Sequence, residues 1–113
     1  MEYMKRNVTC GECTARDEGK EVVLNGWVHR SRDHGGIHFI NLRDRYGLTQ
    51  VVVDADAPAE LQEKAASLRN EYCIAVRGVV RARPESMINR DMKTGEIEVG
   101  AKELIVLSEC EVL

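Results

Sequence analysis

The hydrophobic period of this chain changes once near its middle and then changes back. EVVLNGWVHR (residues 21–30), IHFINLR (37–43) and LTQVVVD (48–54) are rich in β-branched residues and alternate apolar with polar, as half-buried strands do. In APAELQEKAASLRNEY (57–72), Leu61, Ala65 and Leu68 instead recur at helical spacing, with Pro58 near the start and Asp56 as the expected cap. Alternation returns in CIAVRGVVRAR (73–83) and in EIEVGAKELIVL (96–107), a strand interrupted by Gly100. A DHGG turn and Arg45-Tyr46-Gly47 link the first three strands, and Gly26 inside the first implies a bulge or bend. A polar loop from Pro84 to Gly95 separates the last two.

The order β-β-β-α-β-β is that of an all-β, five-stranded Greek-key barrel, the OB-fold, with its helix between strands 3 and 4. A split β-sandwich and an SH3-like barrel are alternatives that the helix position disfavours. The 113 residues make one domain, 1–113, with a single core. No apolar run approaches the roughly 20 residues of a membrane span, and MEYMKRNVT has no signal-peptide core, so a cytoplasmic location is expected.

OB-folds bind ligands across strands 2 and 3, between the loops joining strands 1–2 and 4–5. The charge falls there. The chain is acidic overall, at −3, yet residues 27–50 carry Arg30, Arg32, Arg43 and Arg45 against Asp33 and Asp44. Residues 77–93 carry Arg77, Arg81, Arg83, Arg90 and Lys93 against Glu85 and Asp91. Two positive segments in an acidic body suggest a local anion-binding face.

Strand alternation then says which side chains reach that face. Ile40 and Leu42 suit the core, which puts Phe39, the only phenylalanine, on the other side with Ile37, Asn41 and Arg43. Val51 and Val53 likewise turn Gln50 outward, and Val80 and Ala82 inward leave Arg81 and Arg83 outward. An open aromatic ring, an amide and arginines suit single-stranded RNA, through stacking, base-edge pairing and phosphate contacts. Alternation equally allows Phe39 and Ile37 to form a second apolar layer.

Other residues carry less. CGEC lacks a second cysteine pair or matched histidines, so Cys10, Cys13, Cys73 and Cys110 read as reduced structural thiols. His29, His34 and His38 are separated by alternation and complete no metal site. Trp27 reads as packing, and Asp33 and Asp44 as ion-pair partners of nearby arginines. No nucleophile elbow, phosphate loop or paired-carboxylate motif is present, so the chain alone is expected to catalyse nothing.

The runs GWVHRSRDHGGIHFINLRDRYGLTQVVVD and LRNEYCIAVRGVVRARPESMINRDMKTGEIEV closely resemble the N-terminal anticodon-binding domain of bacterial-type aspartyl-tRNA synthetases. The resemblance spans about Cys10 to Val112, and LRDRYG and NRDMKTGEIEV set it apart from the lysyl and asparaginyl enzymes. CGEC also resembles the family's opening, although a leucine more commonly stands at Cys13.

The resemblance implies that Phe39 stacks on the middle anticodon base and that Gln50 reads it, a uridine in the aspartate anticodon GUC. It implies that Arg30 and Arg32 contact the same region, and that Arg81, Arg83, Asn89 and Glu98 surround the outer bases. His34 and Met87 lie where discrimination between aspartate and asparagine tRNA could be set, and a relaxed enzyme would imply downstream amidation. No cofactor is expected in this domain. ATP and Mg2+ would serve a separate class II catalytic domain in the full-length enzyme, a homodimer, whereas this piece would be a monomer. The rival readings are a free-standing OB-fold for single-stranded nucleic acid and a protein-interaction module docking through Phe39.

Overall fold

The computed structural model describes residues 6–108. Its elements are β1 (Glu21–His34), β2 (Ile37–Asp44), β3 (Gly47–Val53), α1 (Ala59–Ser67), β4 (Cys73–Ala82) and β5 (Ile97–Ser108). Short 3-10 turns, absent from the sequence reading, cover Ala15–Asp17 and Glu85–Met87. The strands close into a barrel in the order β1-β2-β3-β5-β4, with only β3 and β5 parallel. This is the OB barrel that the element order implies, with α1 between β3 and β4.

One strand serves both halves of the barrel. β1 pairs with β4 from Glu21 to Trp27 and with β2 from Trp27 to His34. Such a strand must bend, and Gly26 permits it: a Cβ there would fall 2.4 Å from the Arg43 carbonyl oxygen. The pairing itself slips between Val28 and Arg30, so the bulge lies at His29 rather than at Gly26. β5, by contrast, runs unbroken through Gly100, which pairs with Val79.

The interior is aliphatic. Leu24, Val28, Ile40, Leu42, Val51, Val53, Ile74, Val76, Val80, Ile97, Val99 and Leu104 are fully buried. They follow strand alternation except in β5, where the ladder with β4 slips at Lys102 and the buried parity changes between Val99 and Leu104. Each such side chain stabilises the barrel by about 1.5–3 kcal/mol relative to leaving it exposed. α1 closes one end with Leu61 and Ala65, joined by Leu68 just beyond it. The helix is shorter than its sequence pattern because Leu68 is already extended. Asp56 does not cap it. Pro58 occupies the cap position and no side chain bonds to the first turn, since Asp56 lies two residues too early.

Asp44 also departs from expectation. It is 8% exposed and accepts backbone N–H bonds from Cys10, Tyr46 and Gly47, closing the β2–β3 turn and tying the N-terminal segment to it. Three amide donors satisfy this carboxylate without an arginine. Asp33 accepts from the Gly36 N–H and shapes a turn in which Gly35 and Gly36 hold φ of +64° and +86°. Cys10 and Cys13 are buried, and burial pushes the Cys13 thiol up to about 11 and the Cys10 thiol upward as well. Both behave as packing groups; Cys110 lies outside the described residues. No helix among the described residues is long and apolar enough to cross a membrane.

Candidate nucleic-acid interface

A groove of about 400 Å³ lies over the outer face of β2 and β3. β1 contributes Arg30 and Arg32, β2 Phe39 and Asn41, and β3 Gln50. Arg83, Ser86, Met87, Asn89 and Met92 form the opposite wall. Seven of the ten residues singled out from the sequence therefore meet in one place. Arg81 and Glu98 line an adjoining cavity of about 220 Å³ that shares Phe39 and Met87. His34 borders neither; it is exposed at the end of β1.

Phe39 is half-buried in the groove, and the Arg32 guanidinium stands 5.2 Å from its ring centroid. That is cation–π distance. A base stacking on the same ring face would displace Arg32 or extend the stack. Arg30 and Arg32 are both exposed, and neither forms an ion pair among the described residues. They are cations at the edge of a groove with no anion of their own.

Gln50 points away from the barrel interior, as alternation requires, yet it is only 4% exposed. Its Nε2 donates to Oε1 of Glu98 at 3.1 Å. Glu98, itself 5% exposed, accepts with Oε2 from Nε of Arg81 at 2.7 Å. Arg81 then turns both terminal nitrogens onto Asp54, at 2.9 and 2.8 Å. The guanidinium is outward, as alternation expects, and 38% exposed, but it is committed to two carboxylates.

Arg83 departs likewise. It is 7% exposed, donating from Nε to the Ile97 carbonyl and from Nη1 to the Met87 carbonyl. Burial pulls its guanidinium down from the usual arginine range, with Glu98 opposing. Arg83 thus holds the wall of the groove, aided by the Thr94 hydroxyl donating to the Leu48 carbonyl. Ala82, expected inside, is exposed: it still pairs with Ile97 of β5, but β4 has there run past its last β1 pair, Val79 with Glu21. Sequence reasoning passed over Asn41, Ser86, Met92 and Asp54. Only Asn41 carried a signal, since it shares the face of Phe39.

A closed five-stranded barrel with an aromatic ring and an amide on β2 and β3, flanked by free arginines on β1, has the layout of a nucleic-acid-binding OB-fold. The chain matches the tRNA anti-codon family model, described as an OB-fold nucleic acid binding domain, over residues 22–107, and it belongs to that family. Among individual proteins it is similar to the aspartate–tRNA(Asp/Asn) ligase of Treponema denticola, 65% identical over all of this chain and 19% of the relative. The corresponding ligase of Moorella thermoacetica is 56% identical over 96% of this chain and 18% of the relative. The chain thus spans about a fifth of the length of these curated relatives. Among solved structures, asparaginyl-tRNA synthetase from Pyrococcus horikoshii superposes with a TM-score of 0.76 at 30% identity, over 92% of this chain and 23% of that one. An OBody bound to hen egg-white lysozyme superposes with a TM-score of 0.84 at 26% identity, over 97% of this chain and 100% of that one.

Proposed function

We propose that this chain is the anticodon-binding part of an aspartate–tRNA ligase and that its groove grips the anticodon loop of aspartate tRNA, with the middle uridine of GUC against Phe39. The observation that carries this reading is the pairing of a half-open Phe39 ring with the Gln50 amide in one groove. Glu98 takes one N–H of that amide. The carbonyl oxygen and the second N–H remain, an acceptor beside a donor. Uracil offers the complement, its N3–H and O4, on the edge that an unpaired base turns outward. Arg30 and Arg32 supply phosphate contacts, and Asn89 and Met87 line the wall that an outer base would meet.

The relatives' shared name, which covers both aspartate and asparagine tRNA, favours the relaxed form of the enzyme. The two tRNAs differ at the last anticodon base, so Met87 and His34 are the residues to vary. We assign aspartate activation, with ATP and Mg2+, to a catalytic region outside these residues, and dimerisation of the full-length enzyme to that region as well. This domain needs no cofactor for its part, binds as a monomer and works in the cytoplasm.

The test is a titration of the chain with an anticodon stem-loop carrying GUC, repeated with the middle base changed and with Phe39→Ala. Each change is expected to weaken binding by about 1–3 kcal/mol, and the two together by less than their sum, because both remove the same stack. Binding that ignores the middle base sinks the reading. Binding of a protein partner with no salt-sensitive RNA affinity would support the interaction-module alternative instead.

A further inference from the structure

Asp54 has no place in an anticodon contact. It is a carboxylate beside a groove that would hold a polyanion, where it repels phosphate. Its partner explains it. Asp54 follows β3, Arg81 lies on β4 and Glu98 faces Arg81 across the β4–β5 ladder, so one guanidinium spans three strands. Gly100 makes the span possible: a Cβ there would stand 3.0 Å from Nη1 of Arg81. The Arg81 fork holds Asp54 with two nitrogens and Oε2 of Glu98 with the third. Oε1 of Glu98 is left facing Gln50 and cannot swing away.

A carboxylate accepts and does not donate, so it admits only the nitrogen end of the Gln50 amide. Flipping the amide would set two oxygens against each other. The unflipped amide complements uracil, whereas cytosine, with a donor at N4 and an acceptor at N3, needs the flipped one. We propose that Asp54 and Arg81 are positioning residues that, through Glu98, lock the Gln50 amide in the orientation that accepts uridine and rejects cytidine at the middle anticodon position. This rests on the anticodon reading above.

The experiment compares dissociation constants of this chain for two hairpins, GUC and GCC, in the wild type and in Gln50→Ala, Asp54→Asn, Arg81→Lys and Glu98→Gln. The wild type is expected to prefer GUC by roughly tenfold or more, the discrimination a well-placed bidentate pair supplies. Asp54→Asn and Arg81→Lys should each lose most of that preference while leaving the salt dependence of binding unchanged, because the Arg81 guanidinium is already held by two carboxylates. Lysine keeps the charge but not the fork. Glu98→Gln should relax the preference too, since a neutral amide can face Gln50 either way. Arg81 and Asp54 are 38% and 41% exposed, so thermal melts should show Asp54→Asn and Arg81→Lys folded, and these two variants carry the test. Gln50 and Glu98 are buried, and their variants are read only once melts show them folded. If Gln50→Ala loses the preference while Asp54→Asn or Arg81→Lys keeps it, the lock is refuted and the anticodon reading stands. If the wild type itself has no preference, the anticodon reading falls and the lock falls with it.

Discussion

Two pairs of arginines flank one groove, Arg30 and Arg32 on β1 and Arg81 and Arg83 at the end of β4, and the fold uses them in opposite ways. The β1 pair is exposed and without carboxylate partners among the described residues. The β4 pair is committed: Arg81 to Asp54 and Glu98, Arg83 to two backbone carbonyls. Equal formal charge therefore means unequal availability. A phosphate approaching the groove meets two free cations on one side and a built wall on the other. The difference teaches that a basic segment in a sequence marks a place, and that partners decide whether the charge binds or builds.

The comparison breaks most visibly in stability. Arg83→Ala leaves the Ile97 and Met87 carbonyls without their donor inside the fold, and an unsatisfied buried group costs about 1–3 kcal/mol. Chemical denaturation should show a loss of that size, whereas Arg30→Ala and Arg32→Ala should stay within about 0.5 kcal/mol of the wild type. If the β1 variants proved the less stable, the contrast would be void.

Binding should rank the pairs the other way. Arg30→Ala and Arg32→Ala are each expected to weaken an anticodon hairpin and to lower the slope of log affinity against log salt by about one phosphate contact. Measured against the same salt series, Arg81→Lys should keep the full slope.

How much of this was legible beforehand follows the same line. Alternation correctly gave the element order, put Phe39 on the outer side and, Ala82 excepted, named the inner residues, because period-two patterning is a local property of each strand. It also named the correct side of the sheet for Gln50 and Arg83, and missed that both are buried. Alternation says which face a side chain takes, not whether a distant loop covers that face. Asp44 was misread, and the partners of Arg81 were missed, for a related reason. Asp44 is satisfied by amides of its own turn and of Cys10, and Arg81 by Asp54 and Glu98, 27 and 17 residues away. No spacing rule reports such partners.

The smallest expected effect is acid sensitivity. Hydrogen bonds from Arg81 hold the Asp54 carboxyl below its ordinary value of 3.8. A depressed carboxyl stabilises the fold above that value and loses its contribution as pH falls through the lower, folded one. The melting-temperature gap between wild type and Asp54→Asn should therefore be slight near neutrality and shrink below pH 3.8. A gap that widened in acid would contradict the pairing.

The most direct measurement is an NMR titration of the labelled chain with the GUC hairpin, following the Gln50 side-chain amide, the Phe39 ring and the arginine Nε–H signals. The account predicts that Gln50, Phe39, Arg30 and Arg32 shift together and saturate at one concentration, while Arg77, paired with Glu21 and Glu103 away from the groove, stays still. Shifts centred on Arg77, or a saturating titration that leaves Phe39 and Gln50 unmoved, would mean that RNA binds elsewhere.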